Sequence, residues 1–184
     1  MKRPVMIKYL LKDPDIGALA ATSIFGVQHV CSKINPDDAK VIVEYGPGTG
    51  VFTNYILKNF NHIEKFILIE KNKDFYNLLK KTIVDKRVCI FNDSAENILD
   101  ILHHHYRKTK VNYIISGIPF SYFDESVRLR ILIDTREALV ESGKFLIYQY
   151  RRLIYKYLSE LFSHVTYERE IRNFPPLFIC EAIK

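Results

Sequence analysis

The ten residues from 41 to 50 constrain the fold most strongly, because an apolar run there passes directly into a glycine-rich loop. Their sequence is V-I-V-E-Y-G-P-G-T-G. The apolar run predicts a buried strand, and apolar residues three or four positions apart after Gly50 predict a helix that begins there. Glycines let a backbone turn sharply and approach a ligand closely, and the start of a helix offers free N–H groups. The segment therefore predicts a strand, a loop and a helix that together bind a small molecule.

The same alternation of apolar runs and helix-like stretches continues along the chain. Further strands are predicted at residues 66–70, 88–92, 111–116 and 144–150, with helices at 51–60, 74–83, 95–106 and 125–140. A helix at 151–162 precedes two last strands, 165–172 and 177–183, which are separated by the turn sequence N-F-P-P. This order predicts an α/β fold: a Rossmann-like, doubly wound, mostly parallel sheet of seven strands that ends in a β-hairpin.

Composition and charge bound the domain count and the partners. The chain has no repeat or linker, so we predict one domain over residues 1–184, with residues 1–35 forming a helical lead-in over the ligand-binding loop. The uncharged run at 16–32 is diluted by polar residues and predicts a buried helix, not a membrane span. Three scattered cysteines and no signal peptide indicate a cytoplasmic protein. The net charge of +6 fits either a solubilising surface or a polyanionic partner, such as RNA or an anionic membrane.

The glycine spacing and a preceding carboxylate suggest which ligand binds. A dinucleotide loop reads G-x-G-x-x-G and holds a pyrophosphate, whereas Gly46, Gly48 and Gly50 form G-x-G-x-G two residues after Glu44. A carboxylate would repel a pyrophosphate but suits an ammonium group. The segment resembles the first motif of class I S-adenosylmethionine-dependent methyltransferases, whose cofactor carries an amino-acid tail. The resemblance implies the class I methyltransferase fold and S-adenosylmethionine as cofactor.

Acidic residues after the next two strands extend this cofactor site. Glu70 ends the second strand, where it would accept the ribose hydroxyls, and Asp93 follows the third, where it would accept the adenine amino group or simply cap a helix. The cofactor-binding residues expected from the motifs are Ser23, Glu44, Tyr45, Gly46, Gly48, Gly50, Glu70, Lys71, Asp93, Ser94, Ala95 and Ser116.

The loop after the fourth predicted strand, S-G-I-P-F at 116–120, would face the transferred methyl group. In adenine N6-methyltransferases of ribosomal RNA and DNA, this loop carries Asn or Asp, then any residue, then Pro and Tyr or Phe. Pro119 and Phe120 match the second half of that pattern. Ser116 and Gly117 lack the carboxamide of the first half, which weakens the prediction of an adenine acceptor.

Four segments resemble the small bacterial phospholipid N-methyltransferases, which methylate phosphatidylethanolamine. They are the lead-in at 14–23, the glycine loop at 44–50, the S-G-I-P loop at 116–119, and the Q-Y pair at 149–150 with N-F-P-P at 173–176. Ala21 and Leu177 depart from the pattern, which has Pro and Ala there. The resemblance implies N-methylation of a phospholipid amine, with Ser116, Gly117, Pro119 and Tyr148 as the catalytic-site residues, and peripheral association with the membrane.

Two alternatives stay open. One is an enzyme that resembles the rRNA adenine N6-methyltransferases, although those usually carry an extra C-terminal helical domain that is not seen here before Lys184. The other is a cofactor-binding subunit of a larger methyltransferase.

Several further residues have a functional and a structural interpretation. Tyr45, Tyr122, Tyr148 and Tyr150 are candidates to accept a proton, and each suits core packing equally well. Arg151 and Arg152 would either bind a phosphate or begin a solvated helix. The three consecutive histidines at 103–105 fan around a predicted helix, so no metal site is expected. The lysine-punctuated apolar segment 5–12 is expected to dock on anionic bilayers or to cover the cofactor site.

Overall fold

The computed structural model describes residues 22–184; the bilayer-docking segment predicted at 5–12 and most of the predicted lead-in lie outside them. The strands are β1 (Val41–Tyr45), β2 (Lys65–Ile69), β3 (Val88–Phe91), β4 (Val111–Ser116), β5 (Leu139–Gln149), β6 (His164–Glu170) and β7 (Leu177–Ile183). The α-helices of the described part are α1 (Ile24–Cys31), α2 (Val51–Asn59), α3 (Lys73–Thr82), α4 (Ile98–Tyr106), α5 (Glu125–Ala138) and α6 (Tyr155–Leu161). None of these helices is long and apolar enough to cross a bilayer.

The strands form one sheet of seven in the order β3-β2-β1-β4-β5-β7-β6. Strands β1 to β5 are parallel, and β7 runs antiparallel to both β5 and β6. The predicted doubly wound, mostly parallel sheet with a terminal hairpin is therefore confirmed. The strand order reverses between β1 and β4, whose carboxyl ends are paired at Tyr45 and Ser116. In sheets of this type, ligands bind outside the strand ends at such a reversal.

Helices cover both faces of the sheet, because successive strand residues point to opposite sides. Ile42 packs with Val27 of α1 and Ile56 of α2 on one face, whereas Tyr45 packs with Ile131 of α5 on the other. Burying each of these aliphatic side chains stabilises the fold by about 1.5–3 kcal/mol. For the same reason, adjacent residues at the end of β1, next to the glycine loop, point to opposite faces of the sheet.

Three predicted elements differ from the observed ones by more than two residues at a boundary. The fifth strand begins at Leu139 instead of residue 144, since the polar residues 141–143 form a bulged strand start, with a register shift against β4 and Ser142 at φ 62°. The helix predicted at 95–106 is split into a 3₁₀ turn at Ala95–Asn97 and α4. The helix predicted at 151–162 is confined to α6. A second 3₁₀ turn, Phe120–Tyr122, follows β4.

Candidate active site

A cavity of about 400 Å³ lies at the carboxyl ends of the strands, where the strand order reverses. Its walls come from residues 46–49 and 51 after β1, residues 70–72 and 75 after β2, and residues 117–119 and 122–123 after β4. Tyr148 of β5 also lines it. Small-molecule sites commonly enclose about 300–1,000 Å³ and are largely apolar. The cavity is therefore large enough for a nucleoside-sized ligand.

The glycine loop forms one wall and depends on left-handed backbone. Gly46 has φ 65° and Gly48 has φ 56°, a region that side chains other than glycine adopt at a cost. A Cβ on Gly46 would also lie 2.9 Å from Cγ2 of Ile118, in the opposite loop. A Cβ on Gly48 would have no neighbouring atom of the described residues within 4 Å, so its backbone faces open space in the cavity wall. Gly50, at φ 80°, caps α2 and lies outside the lining.

Glu44 lies fully buried beneath this loop, at the end of β1. The Thr53 hydroxyl donates to its Oε2 at 2.7 Å, whereas its Oε1 has no hydrogen-bond partner among the described residues. Burial raises the pKa of Glu44 to about 8, which the Thr53 bond partly opposes and nearby Glu70 reinforces. A buried carboxyl with an unsatisfied oxygen is costly, and an incoming ammonium group would relieve that cost.

Glu70 lies in the cavity wall and is held by two backbone N–H groups. Gly48 donates to its Oε2 at 3.0 Å, and Asn72 donates to its Oε1 at 2.8 Å. Burial raises the pKa of Glu70, although both backbone bonds act in the opposite direction. The carboxylate thus joins the glycine loop to the start of α3 and presents oxygens to the cavity. Lys71 lines the cavity beside it.

The structure leaves several predicted cofactor residues out of the cavity lining. Ser23 caps α1, and its N–H donates to Asn173. The Tyr45 hydroxyl bonds to Thr135 on the opposite face of the sheet. Asp93 accepts from the Ser94 N–H and the Asn97 side chain, and its part in cofactor binding stays a prediction. Ser94 caps the first 3₁₀ turn, and Ala95 is buried in the core.

The acceptor loop contains a close contact between Gly117 and Tyr148. A Cβ on Gly117 would lie 2.3 Å from the Tyr148 hydroxyl oxygen, so no side chain fits at position 117 while the tyrosine is present. The tyrosine ring stacks on Phe52 with centroids 4.2 Å apart. Burial raises the pKa of Tyr148 well above its ordinary value, and nearby Glu44 adds to the shift, so the hydroxyl stays protonated. Ser116 lies directly before this pair, with its buried Oγ unpaired among the described residues.

The other aromatic residues of this loop divide between core and cavity. Phe120 is fully buried and packs on Phe145 and Phe123, so its ring does not face the cavity. Pro119, Tyr122 and Phe123 do line it. Of the four tyrosines considered as proton acceptors, Tyr122 and Tyr148 reach the lining.

The wall also contains residues that the sequence analysis did not single out: Pro47, Thr49, Val51, Asn72, Phe75 and Phe123. Asn72 and Phe75 had a detectable signal. Asn72 has the side chain and position of a helix cap, and its Oδ1 accepts from Asp74 and Phe75. Because the cap fixes where α3 begins, it also directs the first turn of that helix, including Phe75, towards the strand ends.

Residues 22–184 contain no group of three or more His, Cys, Asp or Glu side chains arranged to hold a metal ion. The three histidines at 103–105 are exposed on the last turn of α4.

Comparisons with known proteins identify the relatives of this chain. The family model of ribosomal RNA adenine dimethylase matches residues 22–110. The ornithine lipid N-methyltransferase of Singulisphaera acidiphila is 24% identical over 181 residues, which cover 96% of this chain and 94% of that protein. The ribosomal RNA small subunit methyltransferase A of Buchnera aphidicola is 31% identical over 94 residues, which cover 51% of this chain and 33% of that protein.

A solved structure supports the fold independently of sequence. The precorrin-6y C5,15-methyltransferase of Geobacter metallireducens superposes with a TM-score of 0.69 at 14% identity, over 86% of this chain and 88% of that one. At this identity the likeness concerns the fold, which is the class I methyltransferase fold predicted from the motifs.

The residues of the cavity fit S-adenosylmethionine. The Glu70 carboxylate in the wall suits hydroxyl donors, and the apolar walls suit an adenine ring. Glu44 is not part of the lining, but its unpaired Oε1 beneath the glycine loop suits an ammonium group. The predicted enzyme class and cofactor agree with the relatives, all of which are methylating enzymes by name. The protein is an S-adenosylmethionine-dependent methyltransferase, and its fold is that of the class I methyltransferases.

Proposed function

We propose that the protein transfers a methyl group to the primary amine of a membrane lipid, with phosphatidylethanolamine or an ornithine lipid as the substrate class. The observation that carries this proposal is the contact between Gly117 and Tyr148. It leaves position 117 without a side chain and sets a protonated phenol hydroxyl at the wall of the cavity. A single hydroxyl can accept one N–H of a small aliphatic amine.

The same contact disfavours an adenine acceptor. The carboxamide of the adenine enzymes would need a side chain in the volume that the Tyr148 hydroxyl takes up. Phe120, the residue that would stack on a base, is enclosed by Phe145 and Phe123 in the core. Both features of adenine recognition that the loop sequence could supply are therefore absent from the cavity lining.

The relatives support a lipid acceptor unequally. The ornithine lipid enzyme matches 96% of this chain, which is enough to include the acceptor loop. The match to the rRNA adenine dimethylase family ends at residue 110, before the acceptor loop begins at Ser116. Likeness to the RNA enzymes is thus concentrated in the half of the chain that carries the cofactor loop.

In the proposed reaction, the protein mainly positions the amine relative to the methyl group. S-adenosylmethionine, when bound, supplies an electrophilic methyl group on a sulfonium. An alkylammonium has to lose a proton before its nitrogen lone pair can attack, and an apolar cavity favours the neutral amine over the charged ammonium. Tyr148, being protonated, acts as an orienting hydrogen-bond partner and not as the base. The proton of the ammonium would pass to solvent water before the amine enters. The neutral nitrogen would then bond to the methyl carbon while the carbon–sulfur bond breaks in line, with the electron pair left on sulfur.

The test offers acceptors in parallel to the purified protein. Detergent-dispersed phosphatidylethanolamine, ornithine lipid and unmodified ribosomal RNA are each incubated with labelled S-adenosylmethionine. We expect label in lipid and none in RNA. Tyr148→Phe should lower lipid methylation about 10- to 100-fold, because it removes a hydrogen bond worth about 1–3 kcal/mol at the acceptor, while cofactor affinity stays within about twofold.

Tyr113→Phe is the matched control, since its hydroxyl donates to Asp38 at 2.6 Å and lies outside the cavity lining. Its methylation rate should equal that of the wild type. Methyl transfer to RNA without transfer to lipid would overturn the proposal. Cofactor binding without transfer to any acceptor would overturn it in favour of a cofactor-binding subunit.

A further inference from the structure

Resting on the proposed lipid substrate, we propose that the protein docks on an anionic bilayer through a surface beside the cavity mouth. This surface, the docking rim, consists of Ile24 and Phe25 at the start of α1 and Ile171, Arg172 and Phe174 in the turn between β6 and β7. The rim shares no residue with the bilayer-docking segment predicted at residues 5–12.

The rim adjoins the cavity through a short series of contacts. Tyr148 lines the cavity, and Tyr150 follows it two residues later. The Asn173 side chain lies 3.5 Å from the Tyr150 hydroxyl, to which it donates, and Phe174 is the next residue. Because β7 is antiparallel to β5, the turn before β7 lies at the carboxyl end of β5, which is the end of the sheet that carries the cofactor loops. A lipid held at the rim would therefore have its headgroup near the cavity.

The rim exposes apolar side chains that a surface in water would not favour. Phe174 is 95% exposed and Ile171 is 73% exposed, while Ile24 and Phe25 are about half exposed. These side chains come from two elements that are far apart in sequence. Contiguous exposed apolar groups next to a binding site mark an interaction surface.

Buried hydrogen bonds hold the two elements of the rim together. Asn173 is buried, and its Oδ1 accepts from the Ser23 N–H at 2.7 Å while its Nδ2 donates to the Pro175 carbonyl at 2.7 Å. Gly26 permits close approach of α1, because a Cβ there would lie 2.9 Å from Leu177. The exposed side chains are thus presented by a fixed backbone, so that docking does not need to order it.

The net charge of +6 attracts the protein to anionic headgroups, and Arg172 is the cation of the rim itself. The Arg172 guanidinium lies 4.8 Å from the Phe25 ring centroid and pairs with the buried carboxylate of Glu170. Arg152 and Arg169 are exposed on the other face of the hairpin, where both lie over the Phe178 ring. Cations interleaved with aromatic side chains are typical of surfaces that sit at the boundary between headgroups and acyl chains.

Single-stranded RNA also binds to surfaces that combine arginine with aromatic rings. Two of the four apolar side chains of the rim, Ile24 and Ile171, are aliphatic and have no ring on which a base could stack. Inserting them among acyl chains removes their apolar area from water. The rim therefore fits a bilayer better than a nucleic acid.

The test measures co-sedimentation with vesicles of phosphatidylcholine and phosphatidylglycerol, which contain no primary-amine methyl acceptor. Ile171→Ser and Phe174→Ser should each lower the partition coefficient about tenfold, and added salt should weaken binding of the wild type. Val84→Ser is the matched control, because Val84 is 93% exposed but precedes β3 at the opposite edge of the sheet. Its partition should be that of the wild type. Thermal unfolding of each variant verifies that it is folded.

Equal partition of the wild type and both rim variants, or no vesicle binding by the wild type, would overturn the proposal. So would rim variants that keep vesicle binding but lose binding to a single-stranded RNA oligonucleotide. Since these vesicles contain no methyl acceptor, failure of the lipid-methylation proposal appears separately, as absent methyl transfer by a protein that still sediments with vesicles.

Discussion

Two carboxyl groups on the cofactor side of the cavity differ in what holds them. Glu44 has one oxygen satisfied by Thr53 and one unsatisfied, whereas both oxygens of Glu70 accept backbone N–H groups. The raised pKa of Glu44, about 8, means that the free protein carries this carboxyl in its neutral form at pH 7. A cofactor ammonium at Glu44 would favour the ionised form, so binding would release a proton.

Glu44 should therefore make cofactor affinity depend on pH. Below its pKa of about 8, raising the pH lowers the cost of ionising Glu44, so affinity should rise by up to about tenfold per pH unit between about pH 6 and 7.5. Glu44→Gln should bind more weakly and with little pH dependence. Calorimetry in two buffers of different ionisation enthalpy counts the released proton. An equal slope for variant and wild type would contradict the assignment.

Glu70 should contribute most of the affinity for the cofactor ribose. Glu70→Ala removes charged hydrogen bonds that are worth about 1.5–3 kcal/mol each, so affinity for S-adenosylhomocysteine should fall at least about tenfold. It also frees the N–H groups of Gly48 and Asn72. Glu64→Ala, an exposed acid at the opposite edge of the sheet, is the control. Unchanged calorimetric affinity for the Glu70 variant would refute its role.

Hydrogen bonds and ion pairs connect the helix α1 to the terminal hairpin. His29 lies between the carboxylates of Glu168 and Glu170, at 2.6 and 3.0 Å, and Lys33 also pairs with Glu168. The Arg172 guanidinium lowers the pKa of Glu170 to about 2, which keeps that carboxylate ionised at neutral pH. Asn173 completes the connection from the turn. These contacts fix α1 against the hairpin.

Asn173→Ala should destabilise the fold. It leaves the Ser23 N–H without its acceptor in a buried setting, and an unsatisfied buried group costs about 1–3 kcal/mol. The measurement is the free energy of unfolding in urea. Asn59→Ala is the control, since the Asn59 side chain is exposed at the end of α2 and bonds only to the Tyr55 carbonyl among the described residues; its stability should change by less than about 0.5 kcal/mol. Equal stability of both variants would show that the connection through Asn173 is dispensable.

Across the whole molecule, the sequence predicts strand positions best where both faces of a strand are buried. The parallel strands β1, β2 and β4 are continuous apolar runs, so their positions follow from the sequence to within a residue. The start of β5 could not be predicted, because Glu141 and Ser142 are exposed in a bulge whose polar composition is that of a turn. Exposure at a sheet end removes the apolar signal that identifies a strand.

The candidate site was predictable where the backbone alone defines it. Gly46, Gly48 and Glu70 line the cavity, and their contacts with the cofactor stay predictions. Tyr45 could have been excluded from the sequence, because adjacent strand residues point to opposite faces and Glu44 already points towards the cofactor side. The contact of Tyr148 with Gly117 joins strands that are distant in sequence, so no local pattern contains it.

The fit of Tyr148 against Gly117 also restricts how this acceptor site could change during evolution. A side chain at position 117 cannot appear first, since its Cβ would overlap the tyrosine hydroxyl at 2.3 Å. The tyrosine has to be replaced by a smaller residue beforehand, and that intermediate has an enlarged cavity and lacks the phenol hydroxyl. A lineage that gains a side chain at position 117 therefore has to make the two changes in that order, or change both codons together.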